Sequence, residues 1–209
     1  MGAIVDLIFP RSCVGCKKLG KYLCDKCKDK AGVVGTDYKN KRIEGRIGLF
    51  KYHGAIKDLI SLLKFEFVSD AKVEIGQIIV DQLKKNYPNI LEYWQENKFV
   101  IMPVPLHWRR ENWRGFNQAE IIANEVGKKI NFLTDNKLIL RKANTRHQAV
   151  SNKIERNNNI KDAFKIVGKV PKNIIIFDDV WTTGNTIRNI IKIIPKNRKI
   201  WVLTLASGN

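Results

Sequence analysis

Residues 173–186 read NIIIFDDVWTTGNT, an apolar run that ends in two adjacent carboxylates and passes at once into Thr, Gly and Asn. Ile174 to Phe177 are continuously apolar, which predicts a strand buried on both faces, as in a parallel sheet covered by helices. Asp178 and Asp179 then fall at the carboxyl end of that strand. Thr182, Thr183, Gly184, Asn185 and Thr186 form the turn into a helix whose Ile187, Ile190, Ile191 and Ile194 share a face before Pro195 stops it. In such sheets ligands sit at the carboxyl ends of the strands, and a helix starting there turns its unpaired N–H groups toward an anion. Gly184 permits close approach of the backbone, and the threonine hydroxyls and amides can wrap a phosphate. Two carboxylates would repel that phosphate, but they accept hydrogen bonds from a vicinal diol. A sugar phosphate satisfies both halves of the motif, whereas a simple capped helix explains the Thr and Gly but not the paired acids.

The remainder of the chain supplies elements for the same architecture. Gly45 to His53 reads as a linker becoming a short strand, followed by a helix with Ile56, Leu59, Ile60 and Leu63 at helical spacing. Ala71 to Lys85 is a second helix, with Ile75, Ile78, Ile79 and Leu83 as its core stripe, and Pro88 breaks the pattern. Phe99 to Met102 reads as a buried strand, with Pro103 and Pro105 preventing helix or central strand beyond it. That places HWRRENWRGFNQ on a loop at the strand's end, and a helix leaves it with Ala119, Ile122, Ala123, Val126 and Ile130 on one face. Leu138–Leu140 and the stretch from Phe164 are further short strands, and KIWVLTLA closes the chain as a last one. Strands alternating with helices predict an α/β fold with a mostly parallel sheet covered on both faces.

The four cysteines, Cys13, Cys16, Cys24 and Cys27, form two Cys-x2-Cys pairs near the N-terminus. Brought together by a turn, they supply the tetrahedral thiolate cage of a structural zinc and leave no open position for catalysis. Two disulfides are the alternative in an oxidising compartment, and an iron–sulfur cluster would use the same ligand set. Lys17, Lys18, Lys21, Lys26 and Lys28 are close enough in sequence to offset the charge of such a site. A ribbon of this kind is either a nucleic-acid contact or a strut for a segment too short to build a core. The expected division is a zinc-binding domain over 1–45 and an α/β domain over 46–209.

With 38 Lys+Arg against 20 Asp+Glu, the formal charge of +18 favours polyanionic partners: nucleic acid, phosphorylated small molecules or an anionic membrane face. A Lys-rich surface that only keeps the protein in solution would give the same number. No apolar run approaches membrane-spanning length, and the start MGAIVDLIFPRSC lacks a basic region before an apolar signal core. Asp6 stands where an acylation signal needs Ser or Thr, so the expected location is cytoplasmic.

The order and spacing of Ile174 to Thr186 resemble the phosphoribosyl pyrophosphate signature of type I phosphoribosyltransferases. Arg114-Gly-Phe-Asn-Gln118 and Arg141-x3-Thr145-x2-Gln148, with the cysteine ribbon, extend the likeness across nearly the whole chain to the ComF family of competence-associated, phosphoribosyltransferase-like proteins. The resemblance implies a type I phosphoribosyltransferase-like sheet carrying a small zinc ribbon. It implies ribose hydroxyls on Asp178 and Asp179, the 5-phosphate cradled by Val180 and Thr182 to Thr186, and magnesium bridging pyrophosphate and ribose. It also implies a role in handling incoming DNA during natural transformation, with single-stranded DNA and a competence helicase-type protein as partners.

Pyrophosphate leaves with high negative charge, so Arg109, Arg110 and Arg114 on the loop after the Phe99–Met102 strand are placed to stabilise it. Arg141 opens a basic stretch reaching Arg156 that suits a lid excluding water, or else a solvated loop. His53, His107 and His147 offer no convincing base, and a dissociative glycosyl transfer does not require one. Three functions fit these residues: ribose 5-phosphate transfer to an unknown acceptor, a DNA-handling protein that senses phosphoribosyl pyrophosphate and stacks DNA on Trp108, Trp113 and Trp181, and purine salvage. The last leaves the ribbon and the charge unused.

Overall fold

The computed structural model describes residues 11–37, 42–63, 69–106, 115–141 and 163–208. Within them the elements run α1 (Asp25–Asp29), β1 (Gly35–Asp37), β2 (Gly45–Lys51), α2 (Gly54–Leu62), α3 (Ser69–Asn86), α4 (Pro88–Glu96), β3 (Val100–Pro103), α5 (Gln118–Ile130), β4 (Ile139–Arg141), β5 (Phe164–Ile166), β6 (Asn173–Trp181), α6 (Asn185–Ile193) and β7 (Lys199–Ser207). The main sheet has the order β1-β2-β7-β6-β3, and β4 and β5 form a separate antiparallel pair. β2, β7, β6 and β3 are mutually parallel, while β1 joins the edge antiparallel. The mostly parallel sheet expected from the alternation of elements is therefore present.

Side-chain alternation along β6 divides the interior into two cores. Ile175 and Phe177 join Ile47, Leu49 and Leu203 beneath α2, α3, α4 and α5. Ile174 and Ile176 join Ile200 and Val202 beneath α6 and the β4–β5 pair. Burying each such side chain contributes about 1.5–3 kcal/mol, which is why the apolar run holds this strand at the centre. The expected helix faces are filled as read: Ile56, Leu59, Ile60, Ile75, Ile79, Leu83, Ala119, Ile122, Ala123 and Val126 are all buried. Pro88 needs correction, because it opens α4 instead of only ending α3. Its missing N–H and fixed φ suit the first helical position, and Leu91 and Trp94 bury the new helix against the sheet.

The topology creates one crevice. From β3 the chain passes through α5 to Thr134, which bridges Ile101 in parallel, and returns through β4 and β5 to β6, already paired to β3. Connections thus leave β3 and β6 in opposite directions, and their carboxyl ends flank the switch point where α/β sheets bind ligands.

Candidate functional site

β6 extends further than its apolar run. Asp178 pairs with Thr204 and Val180 with Ala206, so both acids lie within the strand and only Thr182–Gly184 make the turn. Strand propensity disfavours Asp, but β7 continues alongside and its ladder recruits these backbones. Thr186 falls in the first turn of α6, not in the loop. Gly184 has φ +70° and occupies the N-cap without a capping side chain; the Asn185 N–H makes only a long 3.5 Å bond to Thr183 Oγ1, so the helix start can turn donors to an incoming anion. Thr182, Thr183 and Asn185 are exposed around a small concavity that also touches Asp178 and Thr186.

Asp178 and Asp179 line the floor of a larger cleft of about 490 Å³, within the range of small-molecule sites. The Asp179 N–H donates to Asp178 Oδ1 at 3.0 Å. Loss of water around Asp178, reinforced by the neighbouring Asp179 charge, holds its carboxyl well above the ordinary carboxylate range. Paired acids beside a helix-starting turn can accept hydrogen bonds from hydroxyls on one side and offer donors to an anion on the other. Val180, Thr182, Thr186 and Arg141 line the same cleft, so β6, the first turn of α6 and the end of β4 converge there. The Arg141 guanidinium lies 5.3 Å over the Phe164 ring, which fixes its stem on the β4–β5 pair.

Several lining residues were not read from the sequence as residues of the site. Asn117 caps α5 by accepting from the Ala119 N–H at 3.1 Å and donates Nδ2 to the Val104 carbonyl at 3.0 Å, pinning the exit of β3 to the helix start. Tyr52 follows the carboxyl end of β2, and Val104 to Leu106 follow that of β3. Their signal was positional: each comes directly after a parallel strand, and Asn before an apolar-periodic run marks a cap. Arg109, Arg110 and Arg114, with His107, Trp108, Trp113, His147 and all but Arg141 of the stretch to Arg156 read as a lid or a solvated loop, lie outside the described residues. Trp181, read as a stacking candidate, packs against the turn below Gly184.

The cysteines meet as their spacing predicts. The sulfur atoms of Cys13, Cys16, Cys24 and Cys27 all lie within 4.8 Å of one another. Sulfurs at about 2.3 Å from a tetrahedral zinc are about 3.8 Å apart, so this cluster fits the ion with small adjustments. Burial opposes ionisation of Cys13, but N–H groups of Cys24, Cys16 and Gly15 outweigh it and bring the thiol down to about 6. The hydrogen bond with Cys24, helped by burial, pushes Cys27 up to about 12. A zinc ion bound here as a structural centre would favour the thiolate form of all four and offset their charge. Of the five lysines read as offsetting charges, Lys21 and Lys28 bond Asp25, each at 2.9 Å. The knuckle is tied to α3 by Glu74, whose carboxylate accepts from the Tyr22 and Leu23 N–H groups at 3.0 and 2.9 Å.

Among the described residues no helix is long and apolar enough to cross a membrane. Competence protein ComFC of Streptococcus pneumoniae is 29% identical over 197 residues, an alignment covering 91% of this chain and 77% of that protein. DNA utilization protein YhgH of Escherichia coli is 31% identical over 109 residues, and competence protein F of Haemophilus influenzae 32% over 103. Those two alignments span 48% and 44% of the relatives, about half of their length. No family model matches the chain.

Proposed function

We take the chain's homology to the ComF-type competence and DNA utilization proteins as the premise, and propose that it binds phosphoribosyl pyrophosphate with magnesium in the cleft between β3 and β6. In this reading Asp178 and Asp179 receive the ribose hydroxyls, and the turn from Thr182 to Thr186 receives the 5-phosphate. The observation that carries it is the convergence of a paired-acid floor and an anion-accepting turn in one cleft, where Asp178 is held above its ordinary titration range. Magnesium, when bound with the substrate, would neutralise the pyrophosphate charge. The chain's own part is to orient the sugar through the acids, hold the phosphate with N–H and hydroxyl donors, and present Arg141 at the rim. Arg109, Arg110 and Arg114 are proposed to meet the departing pyrophosphate. Transfer of ribose 5-phosphate to an acceptor is the reaction such a site would run, in the service of DNA handling during natural transformation.

The test is calorimetric titration of phosphoribosyl pyrophosphate into the zinc-loaded chain, with and without magnesium, beside Asp178→Asn/Asp179→Asn. Magnesium-dependent binding that the double variant loses is expected; no binding in either condition would refute the site. The names of the relatives, which concern competence and DNA utilization, favour a second reading, in which the same site only senses the ligand while a basic surface holds single-stranded DNA. Salt-sensitive DNA binding retained by the double variant, without turnover in the parent, would select it. Helicase-type partners belong to that reading as well, whereas purine salvage gives the cysteine knuckle no task.

A further inference from the structure

We propose that Trp181, with Arg188 and Arg46, is a positioning element that presets the phosphate-receiving turn before any ligand arrives; this rests on the sugar-phosphate reading of that turn. Trp181 is the last residue of β6, and its carbonyl accepts from the Gly208 N–H at 2.8 Å. Its ring lies so close to Gly184 that any Cβ there would overlap it, so the left-handed glycine is required by the ring as well as by its φ. Two guanidiniums lie over this indole, Arg46 from β2 at 4.7 Å and Arg188 from α6 at 5.8 Å from the centroid, both within cation–π range. Arg46 also donates to Ser207 Oγ at 3.2 Å, so β2, β6, β7 and α6 are joined at one ring.

Arg188 acts on the turn directly. Its Nη1 donates to the Thr183 carbonyl at 2.7 Å and to Asn185 Oδ1 at 3.2 Å. A trans peptide directs its C=O and N–H to opposite sides, so drawing the Thr183 carbonyl toward Arg188 sends the Gly184 N–H away from it, toward the open side of the turn. Thr182, Thr183 and Asn185 are exposed and have little apolar contact of their own to order them. A turn left loose would have to be ordered by the ligand, weakening binding; a turn held by the ring and the Arg188 guanidinium does not. The two guanidiniums also place positive charge beside the phosphate, countering the acids of β6.

Ribose 5-phosphate titrated calorimetrically into the full-length, zinc-loaded chain is the probe, with amide hydrogen exchange of ligand-free residues 182–187 and 174–177 as the second readout. Trp181→Ala and Arg188→Ala are each expected to bind about tenfold more weakly, with faster exchange confined to the turn. Trp181→Phe keeps a ring for the guanidiniums and is expected to remain within about threefold of the parent. Arg188→Lys keeps the charge on one nitrogen that can reach the Thr183 carbonyl but leaves no guanidinium over the indole, and is expected to fall between the parent and Arg188→Ala in turn exchange. Unchanged affinity despite a faster-exchanging turn overturns the proposal, as does exchange that rises equally along 174–177, which would make Trp181 a packing residue of the strand. If the parent binds no ribose 5-phosphate, the sugar-phosphate reading fails. Turn exchange in Trp181→Ala and Arg188→Ala still decides the positioning role, and an unchanged rate rejects it.

Discussion

The four cysteines of the knuckle all come from residues 13–27, whereas the cleft draws its lining from the segments just after β2 and β3 and from α2, α5, β4, β6 and α6. The first is local in sequence and needs an ion; the second is distant in sequence and needs a sheet. Each also places like charges together, but resolves them differently. In the knuckle the thiols split, Cys13 down to about 6 and Cys27 up to about 12, a conflict a divalent cation removes. In the cleft Asp178 stays above its ordinary range, a conflict that hydroxyls of the proposed sugar-phosphate ligand would meet. On the proposed reading, a metal would relieve the first conflict on binding, and the second would persist until a ligand bound.

The strongest way to break this contrast is to remove the metal. Structural zinc sites bind with about 10–16 kcal/mol, so chelation is expected to open residues 11–31 while β6 and β7 keep their amide protection, read by hydrogen exchange with parallel metal analysis. Loss of protection in β6 and β7 at the same chelator concentration would make the two regions one cooperative unit.

Gly184→Ala strikes only the cleft. Left-handed backbone in a residue with a Cβ costs about 1–3 kcal/mol, and overlap with the Trp181 ring adds to it. Denaturant unfolding should show that loss, with sugar-phosphate binding abolished and zinc content unchanged.

Glu74→Ala is the converse, striking the knuckle. It deprives the Tyr22 and Leu23 N–H groups of their acceptor, a loss of about 1–3 kcal/mol. Zinc should be surrendered to a competing chelator more readily, with phosphoribosyl pyrophosphate affinity unaltered; a matching fall in that affinity would reveal coupling through α3 and its neighbours.

The smallest expected effect is a gain. Because the folded-state pKa of Asp178 is raised, the folded protein holds a proton that the unfolded chain has released once pH exceeds the ordinary carboxylate range, so stability falls as pH rises from there to the raised value. Asp178→Asn removes that loss and should melt above the parent at neutral pH, the difference closing as pH falls into the ordinary carboxylate range. A difference that does not change with pH would trace to packing instead of charge.

Much of this was legible in the chain itself. The period of Ala119 to Ile130 placed a buried helix face, and the run Ile174–Phe177 placed a strand covered on both sides, because burial imposes its spacing directly on the sequence. The two Cys-x2-Cys pairs specified their own meeting, since short spacing leaves a turn little freedom. Other features were hidden. The continuation of β6 through Trp181 depends on β7 beside it, which no local propensity records. Pro88 read as a stop until Leu91 and Trp94 had a surface to bury against.

The sequence by itself determined the elements that carry chemistry: four thiols at metal spacing, two adjacent acids after an apolar run and a glycine-bearing turn. Covalent spacing and hydrophobic periodicity are properties of the chain before it folds. Only the tertiary structure decided that Asn117 and Tyr52 share a cleft with those acids, and that Arg46 reaches the Trp181 ring from another strand. Those neighbours are set by strand order and crossover direction, and pairings between residues so far apart along the chain leave no periodic mark in it.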